Sequence, residues 1–359
     1  MTKHRRMVPP AGVAAGLLAA ALFGASTPAS KVLLATLDPL TLAASLYLGA
    51  GLALSLARIA RRRREDLPAE APLQRRDVPL LVAVVALGGV VGPVMMLSGL
   101  SRLTATTGSL LLNLEVTFTI LIAVLLFGEH LGRREAASAL LVIAGVAALA
   151  YDPGRLGGRP LGVLAIVTAC LAWAFDNNFT QRLSLRDPVA LMHVKTLGSG
   201  ALMAAMAVSM DGLPGGAWPA VGAALGIGSL SYGASLVLHA RALRLLGAAR
   251  QAVLFGTAPF LGFLLSVVFL KERPGAIDLA AALSMLAGIA LLTSRAHAHW
   301  HNHAALEHEH AHVHDEHHAH RHGHAGEIAE PHSHPHAHAP IAHEHPHASD
   351  EHHRHRHGE

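Results

Sequence analysis

The stretch 125-LLFGEHLGRREAASALLVIAGVAALA-150 is matched without gaps by 268-VFLKERPGAIDLAAALSMLAGIALLT-293. An offset of 143 sets Glu129 over Glu272 and Gly145 over Gly288. In each copy one apolar run ends in a Glu, a short polar turn follows, and a second apolar run begins. Upstream, LFGASTPASK at 22–31 lies over AWAFDNNFTQ at 172–181, and Asp38-Pro39 lies over Asp187-Pro188. Self-similarity over such distances reads as one structural unit present twice.

What the unit is made of follows from composition. The 359 residues are 52% hydrophobic, and 14% are Asp, Glu, Lys or Arg, about half the share typical of soluble domains. A helix crosses the hydrocarbon of a bilayer with about 20 apolar residues. Runs and breaks predict ten spans, at 11–31, 39–58, 78–98, 103–127, 135–151, 160–182, 188–209, 217–239, 248–270 and 276–294. No run alternates apolar and polar residues with period two, which disfavours a lipid-facing barrel. The expected fold class is all-α integral membrane: ten transmembrane helices as two five-helix repeats, followed by a disordered His-rich tail. The domains are 1–151, 152–295 and 296–359. Five passes per copy force the copies to insert in opposite directions, an inverted-repeat design with the substrate site between the halves near midplane. Lys3, Arg5 and Arg6 before AGVAAGLLAAALFGAS have the form of a cleavable signal, but the repeat needs that segment in the mature protein.

Charge sets orientation. Residues 1–296 carry a net charge of +11 and the tail −7, with His neutral. With the N-terminus inside, 18 Lys/Arg fall on the cytoplasmic side and six outside, which predicts both termini in the cytoplasm. The block RRRRED at 61–66 dominates that count. Basic residues in short loops between apolar runs are a topology signal, so no nucleic-acid partner is expected. The lone Cys170 cannot form an intrachain disulfide.

The Pro28/Lys31 end of the first span, 110-LLLNLEVTFTILIAVLLFGE-129 and its counterpart 253-VLFGTAPFLGFLLSVVFLKE-272 resemble the EamA-type drug/metabolite transporter family. The resemblance covers about residues 11–294. It implies a ten-helix bacterial inner-membrane carrier, commonly an exporter of metabolites, amino acids or drugs. One departure is chemical: Ala258-Pro259 stands in the second copy where the first has Glu115-Val116.

A charge at the bilayer centre costs at least about 2.5 kcal/mol on insertion scales, so intramembrane polar groups need partners or a wet cavity. Asp176 and Lys195 each lie roughly 9–11 Å in from the cytoplasmic face, given a rise of about 1.5 Å per residue, on helices joined by a short loop. They are expected to meet, either as a structural ion pair or as part of the substrate site. Asn177 and Asn178 point elsewhere on the same helix, and one amide is expected to bond between helices. Glu115 sits near midplane with Asn113 and Thr117 two residues either side. A carboxyl at that depth is expected to carry a proton at rest, which suits a proton-coupled exporter; the plain alternative is a neutral Glu bonded to a neighbouring helix. The candidate substrate and coupling residues are therefore Glu115, Asp176, Lys195, Asn113 and Asn177. Glu129 and Glu272 read as boundary or capping groups. Gly12/Gly16, Gly88/Gly92 and Gly222/Gly226 have the spacing of close helix contacts. His239 reads as interfacial, and His193 as a neighbour of Lys195.

The tail holds 24 of the 28 His, interspersed with acidic residues and Pro331, Pro335, Pro340 and Pro346. Neutral imidazoles suit Zn, Ni, Co or Cu. The densest run offers His310, His312, His314, His317, His318, His320, His322 and His324 as ligands for low-specificity metal binding. No cofactor is required. No nucleotide loop, nucleophile triad or redox motif is visible, so an enzyme is not expected. The leading reading is a secondary exporter with an accessory metal-binding tail, its partners a small-molecule substrate and the lipid bilayer, with a homodimer allowed. The alternatives are a divalent-metal carrier using the tail as collector, and a metal-responsive sensor without transport.

Overall fold

The computed structural model describes residues 10–62, 72–127, 133–150, 159–183, 186–210, 216–246, 254–293, 297–303, 306–312, 332–338 and 341–347. Among the described residues between 10 and 293 every regular element is helical. In chain order these are α1 Pro10–Leu33, α2 Pro39–Arg62, α3 Val78–Ala83, α4 Gly92–Arg102, α5 Ala105–Leu111, α6 Leu114–Phe127 and α7 Arg133–Ala150. They continue as α8 Arg159–Arg182, α9 Pro188–Met210, α10 Trp218–Gly228, α11 Ser235–Leu246, α12 Ala258–Phe269 and α13 Ala276–Thr293.

Among the described residues seven segments are long and apolar enough to cross a bilayer: Ala11–Leu33, Pro39–Ala60, Arg75–Arg102, Ala105–Leu126, Pro160–Thr180, Val189–Met210 and Trp218–His239. Three shorter apolar helices, Ala136–Ala150, Ala258–Phe269 and Ala276–Leu291, fall in the fifth, ninth and tenth expected spans. The protein is an all-α, multi-pass membrane protein.

Four of the passes are not plain α-helices. The third continues from α3 through a π-helical segment, Val84–Val91, into α4. The eighth does the same from α10 through Ser229–Ala234 into α11. Each of these passes opens on a Pro in its first turn, Pro79 and Pro219, where a missing N–H costs nothing. The fourth pass breaks at Leu112–Asn113 between α5 and α6, and a break at Gly256–Thr257 precedes α12 in the ninth. At these breaks the backbone bonds reach back only three residues, Asn113 N–H to Leu110 O and Thr257 N–H to Leu254 O.

The most extensive packing joins helices from opposite halves. α1 packs on α11 and α12, and α2 on α9 and α10. The third pass packs on α8 and α9, α5 on α12, α6 on α8, and α7 on α13. Exchanging the first five passes for the last five maps this set of neighbours onto itself. One buried apolar cluster runs through it, with Leu42, Leu46, Met96, Leu97, Leu110, Ile166, Met203 and Met285 at its centre. A satellite cluster of Val84, Leu183 and Leu191 closes the end where α8 finishes and α9 begins.

In the segment expected to be disordered, the described residues form two antiparallel ladders. β1 His297–His303 pairs with β4 Ile341–His347, and β2 Leu306–His312 pairs with β3 His332–His338. His-x-His has the two-residue period of a strand, and the register sets His opposite His at alternate positions.

Candidate functional site

The π-helical turn of the third pass organises the site. Its bonds run five residues back, so Gly92 N–H reaches Leu87 O. The Gly88 carbonyl would look five residues on to Pro93, which has no N–H. Donors from two other helices take it instead: Tyr47 Oη and Trp173 Nε1 each donate to Gly88 O at 3.0 Å. A π turn frequently marks a functional position because it frees such a group.

The glycines of this turn admit their neighbours. A Cβ at Gly88 would fall on the Asp176 carboxyl, one at Gly89 on Ser199 Oγ, and one at Gly92 on the Trp173 indole nitrogen. Close helix contact, expected for Gly88/Gly92, is found here. Gly222 and Gly226 differ, since nothing lies within 4 Å of a Cβ at either.

Against Gly88 the Lys195 ammonium donates to Asp176 Oδ2. The expected meeting of the sixth and seventh passes is thus present, and both side chains are nearly buried, at 12% and 4% exposure. Ser199, one turn on from Lys195, donates to Val85 O at 3.3 Å and ties the seventh pass to the same turn.

Glu115 opens α6 just past the break, on the other side of α8. Its Oε1 accepts from Asn177 Nδ2 at 2.8 Å, and Asn177 also donates to Thr119 Oγ1 at 3.3 Å. Thr119 in turn donates to the Glu115 carbonyl at 2.8 Å. Protein surrounds the Glu115 carboxyl, yet water still reaches part of the residue, and Asn177 is exposed. The two side chains therefore line a recess within the bundle. Glu115 lies within electrostatic range of both Asp176 and Lys195.

One amide was expected to bond between helices, and both do: beside Asn177, Asn178 donates to Thr119 O at 3.2 Å as well as to Ala174 O of its own helix at 2.8 Å. Asn113 is not brought to the recess. It is buried, donates to Leu110 O at 2.9 Å, faces Met285 Sδ at 3.7 Å, and leaves its Oδ1 without a partner among the described residues. His193 joins Ser55 Oγ at 2.8 Å and Arg58 at 3.3 Å rather than Lys195. His239 lies edge-on to Phe255, ring centres 4.8 Å apart.

Tyr47, Trp173 and Ser199 were not singled out from sequence. The available signal was GGVVGP at 88–93, where three glycines precede a proline that cannot donate.

Capping explains the corner between α4 and α5. Glu272 accepts from Ala105 N and Thr106 N at 2.8 Å each, satisfying the free N–H groups of α5. Lys31 donates to Leu100 O at 2.7 Å and Leu103 O at 2.6 Å at the end of α4. Glu129 lies outside the described residues, as do the candidate metal ligands His314, His317, His318, His320, His322 and His324. His310 and His312 fall in β2, opposite His334 and His332. Among the described residues no group of three or more His, Cys, Asp or Glu is placed to hold a metal ion.

Comparison with known proteins agrees with this architecture. A protein of known crystal structure superposes with a TM-score of 0.55 over 79% of this chain and 96% of its own, at 22% identity; that likeness shows the fold. An uncharacterized transporter of Methanothermobacter thermautotrophicus (strain Delta H) is 28% identical over 292 residues, 77% of this chain and 84% of its own. The profile of the EamA-like transporter family matches residues 10–151 and again 160–294, one match per copy of the repeat, and the chain belongs to that family of membrane transporters.

Proposed function

We propose that the protein is a secondary, proton-coupled exporter of a small metabolite, amino acid or drug across the bacterial inner membrane. The observation that carries this reading is the Glu115–Asn177 hydrogen bond in a water-reachable recess enclosed by protein. A carboxyl there can take up and release a proton as the recess changes its access. Asp176 and Lys195 neutralise one another beside it and hold the third, sixth and seventh passes together. The discontinuous fourth and ninth passes are the form in which transporters place a midplane site.

The halves are proposed to insert in opposite senses, with both termini cytoplasmic. The exchange-symmetric packing of passes and the excess of Arg in the cytoplasmic loops support this. No covalent chemistry is assigned to the recess, so the reading is of a carrier and not an enzyme. The tail is proposed as an accessory that binds Zn, Ni, Co or Cu loosely, supported by the register of His308, His310 and His312 opposite His336, His334 and His332.

The test compares metabolites and metals inside and outside cells with and without overexpression, using wild type, Glu115→Gln and a chain lacking 297–359. At least one small molecule should accumulate outside with wild type and not with Glu115→Gln. Identical profiles for wild type and Glu115→Gln would remove the basis of the proposal. A change in metal flux itself, lost on deleting the tail, would favour a metal carrier.

A further inference from the structure

We propose that Ser55, Arg58 and His193 form a proton-operated latch between α2 and α9: the neutral ring of His193 ties the two helices together at one end, and a proton on that ring releases them. The latch stands on the packing of the two halves and does not depend on the substrate or coupling ion proposed above.

The crossing of α2 and α9 follows the internal repeat. Asp38-Pro39 opens one helix and Asp187-Pro188 the other, an offset of 149. That offset pairs Leu48 with Leu197 and Gly51 with Gly200. The contacts obey it: a Cβ at Gly51 would lie 3.0 Å from Leu197 Cα, and one at Gly200 would lie 2.8 Å from Leu48 N. Each residue at one end of the crossing therefore has a counterpart toward the other end. Those of Ser55, Arg58 and His193 are Ala204, Ala207 and Ala44. Ala44 and Ala207 are buried, so small apolar groups serve the packing at their end. The polar trio is thus an addition to a two-fold crossing that packs without one, and it makes the two ends unequal.

The hydrogen bonds fix the state of the ring. Arg58 has only donors, so His193 Nδ1, 3.3 Å from its terminal nitrogen, accepts and carries no proton. Ser55 gives its one proton to Gly51 O at 2.8 Å, so its oxygen accepts from His193 Nε2–H, also at 2.8 Å. Both bonds cross from α9 to α2, and the neutral ring protonated at Nε2 satisfies them together. A proton added at Nδ1 sets an N–H and a positive charge against a guanidinium. The Ser55 bond survives that change and the Arg58 bond does not.

The surroundings offer the second charge no partner. Arg58 is the charged group that acts on the ring among the described residues. The third pass, also packed on α9, follows Asp77, which Arg186 already holds, and Val84–Val91 contains no titratable group. α11 brings His239, set against Phe255, together with Arg241 and Arg244. On α9 Lys195 is bound to Asp176, and Asp187 caps the first turn. The last turn of α2 adds Arg61 and Arg62. The acids are spent and the other groups are basic, so protonation parts α2 from α9. A bond present at one end of the crossing and absent at the other favours the arrangement that keeps that end closed, and a proton removes the preference.

Hydrogen–deuterium exchange of the full-length protein in lipid nanodiscs tests this at pH 7.5 and pH 5.5, corrected for the intrinsic effect of pH on exchange. EDTA keeps the tail free of metal. The variants are His193→Gln, whose amide can accept from Arg58 and donate to Ser55 but does not titrate, and Arg58→Gln, which removes the opposing cation. In wild type, amide protection around Ser55–Ala60 and Val189–Leu197 should fall about tenfold between the two pH values, because the neutral fraction of a ring that ionises near pH ~6.5 falls by that factor. Protection around Ala44 and Ala204 should not change. His193→Gln should stay protected at both pH values, and Arg58→Gln should lose the pH effect whatever its absolute protection. No fall in wild type, an equal fall at the Ala44 end, or a pH effect that persists in either variant overturns the latch.

Discussion

Lys195 and Asp176 meet directly over Gly88, in a gap that no Cβ could share. The ion pair and the glycine are one device. The seventh pass reaches the sixth only because the third pass has no side chain between them.

Gly88→Ala therefore forces either the pair or the π turn to move. Overpacking of this kind costs about 1–3 kcal/mol. Thermal unfolding in detergent should show a clear drop in Tm for Gly88→Ala and no drop for Gly222→Ala, where a methyl meets open space. Equal behaviour of the two variants would falsify the packing account.

Removing one member of the pair leaves the other charged and buried. Asp176→Asn or Lys195→Met alone should cost about 3–5 kcal/mol, and the double variant distinctly less than the sum. A double-mutant cycle on unfolding free energy measures this. Strict additivity would mean that the two groups do not depend on one another.

The corner between α4 and α5 rests on opposite charges at opposite helix ends. Lys31 takes the last carbonyls of α4, and Glu272, from the far half of the chain, takes the first N–H groups of α5. Glu272→Ala should lower stability by about 0.5–2 kcal/mol, the range for a lost N-cap. Glu272→Asp, one methylene shorter, should recover little, because both carboxylate oxygens are in use. Full stability of Glu272→Ala would show that the cap contributes nothing.

At the other end Arg186 grips Asp77 through two nitrogens, Nε at 2.8 Å and one terminal nitrogen at 3.3 Å. Asp77 also accepts Gln74 N–H at 2.8 Å, capping the turn that leads into the third pass. Exchanging the charges, Asp77→Arg with Arg186→Asp, should therefore fail to restore the loss caused by Arg186→Ala, since an Arg cannot accept that N–H. The same unfolding assay reads it, and full rescue would reduce Asp77 to a simple counter-ion.

Much of this was legible in the residues. Apolar runs of spanning length located each pass, because a bilayer demands length and hydrophobicity that composition shows directly. Asp176 and Lys195 were expected together from their depth and the short loop between their helices. Glu115 stood out as a carboxyl at midplane, and Glu272 as a cap. Asn113, two residues from Glu115, was drawn into the same group, but it sits in the break between α5 and α6, where its amide bonds back to Leu110 O and faces Met285.

The sequence by itself determined that this chain is a bundle of membrane-crossing helices written twice, because the hydrophobic requirement is local and is satisfied residue by residue along the chain. Only the tertiary structure decided which polar groups face one another. Asn177 reaching Glu115, Tyr47 and Trp173 converging on Gly88 O, and Glu272 capping α5 join residues from 41 to 167 positions apart. Those pairings depend on where helices break, where a π turn shifts the register, and which faces pack, and these are settled by contact between helices, not by any one helix alone.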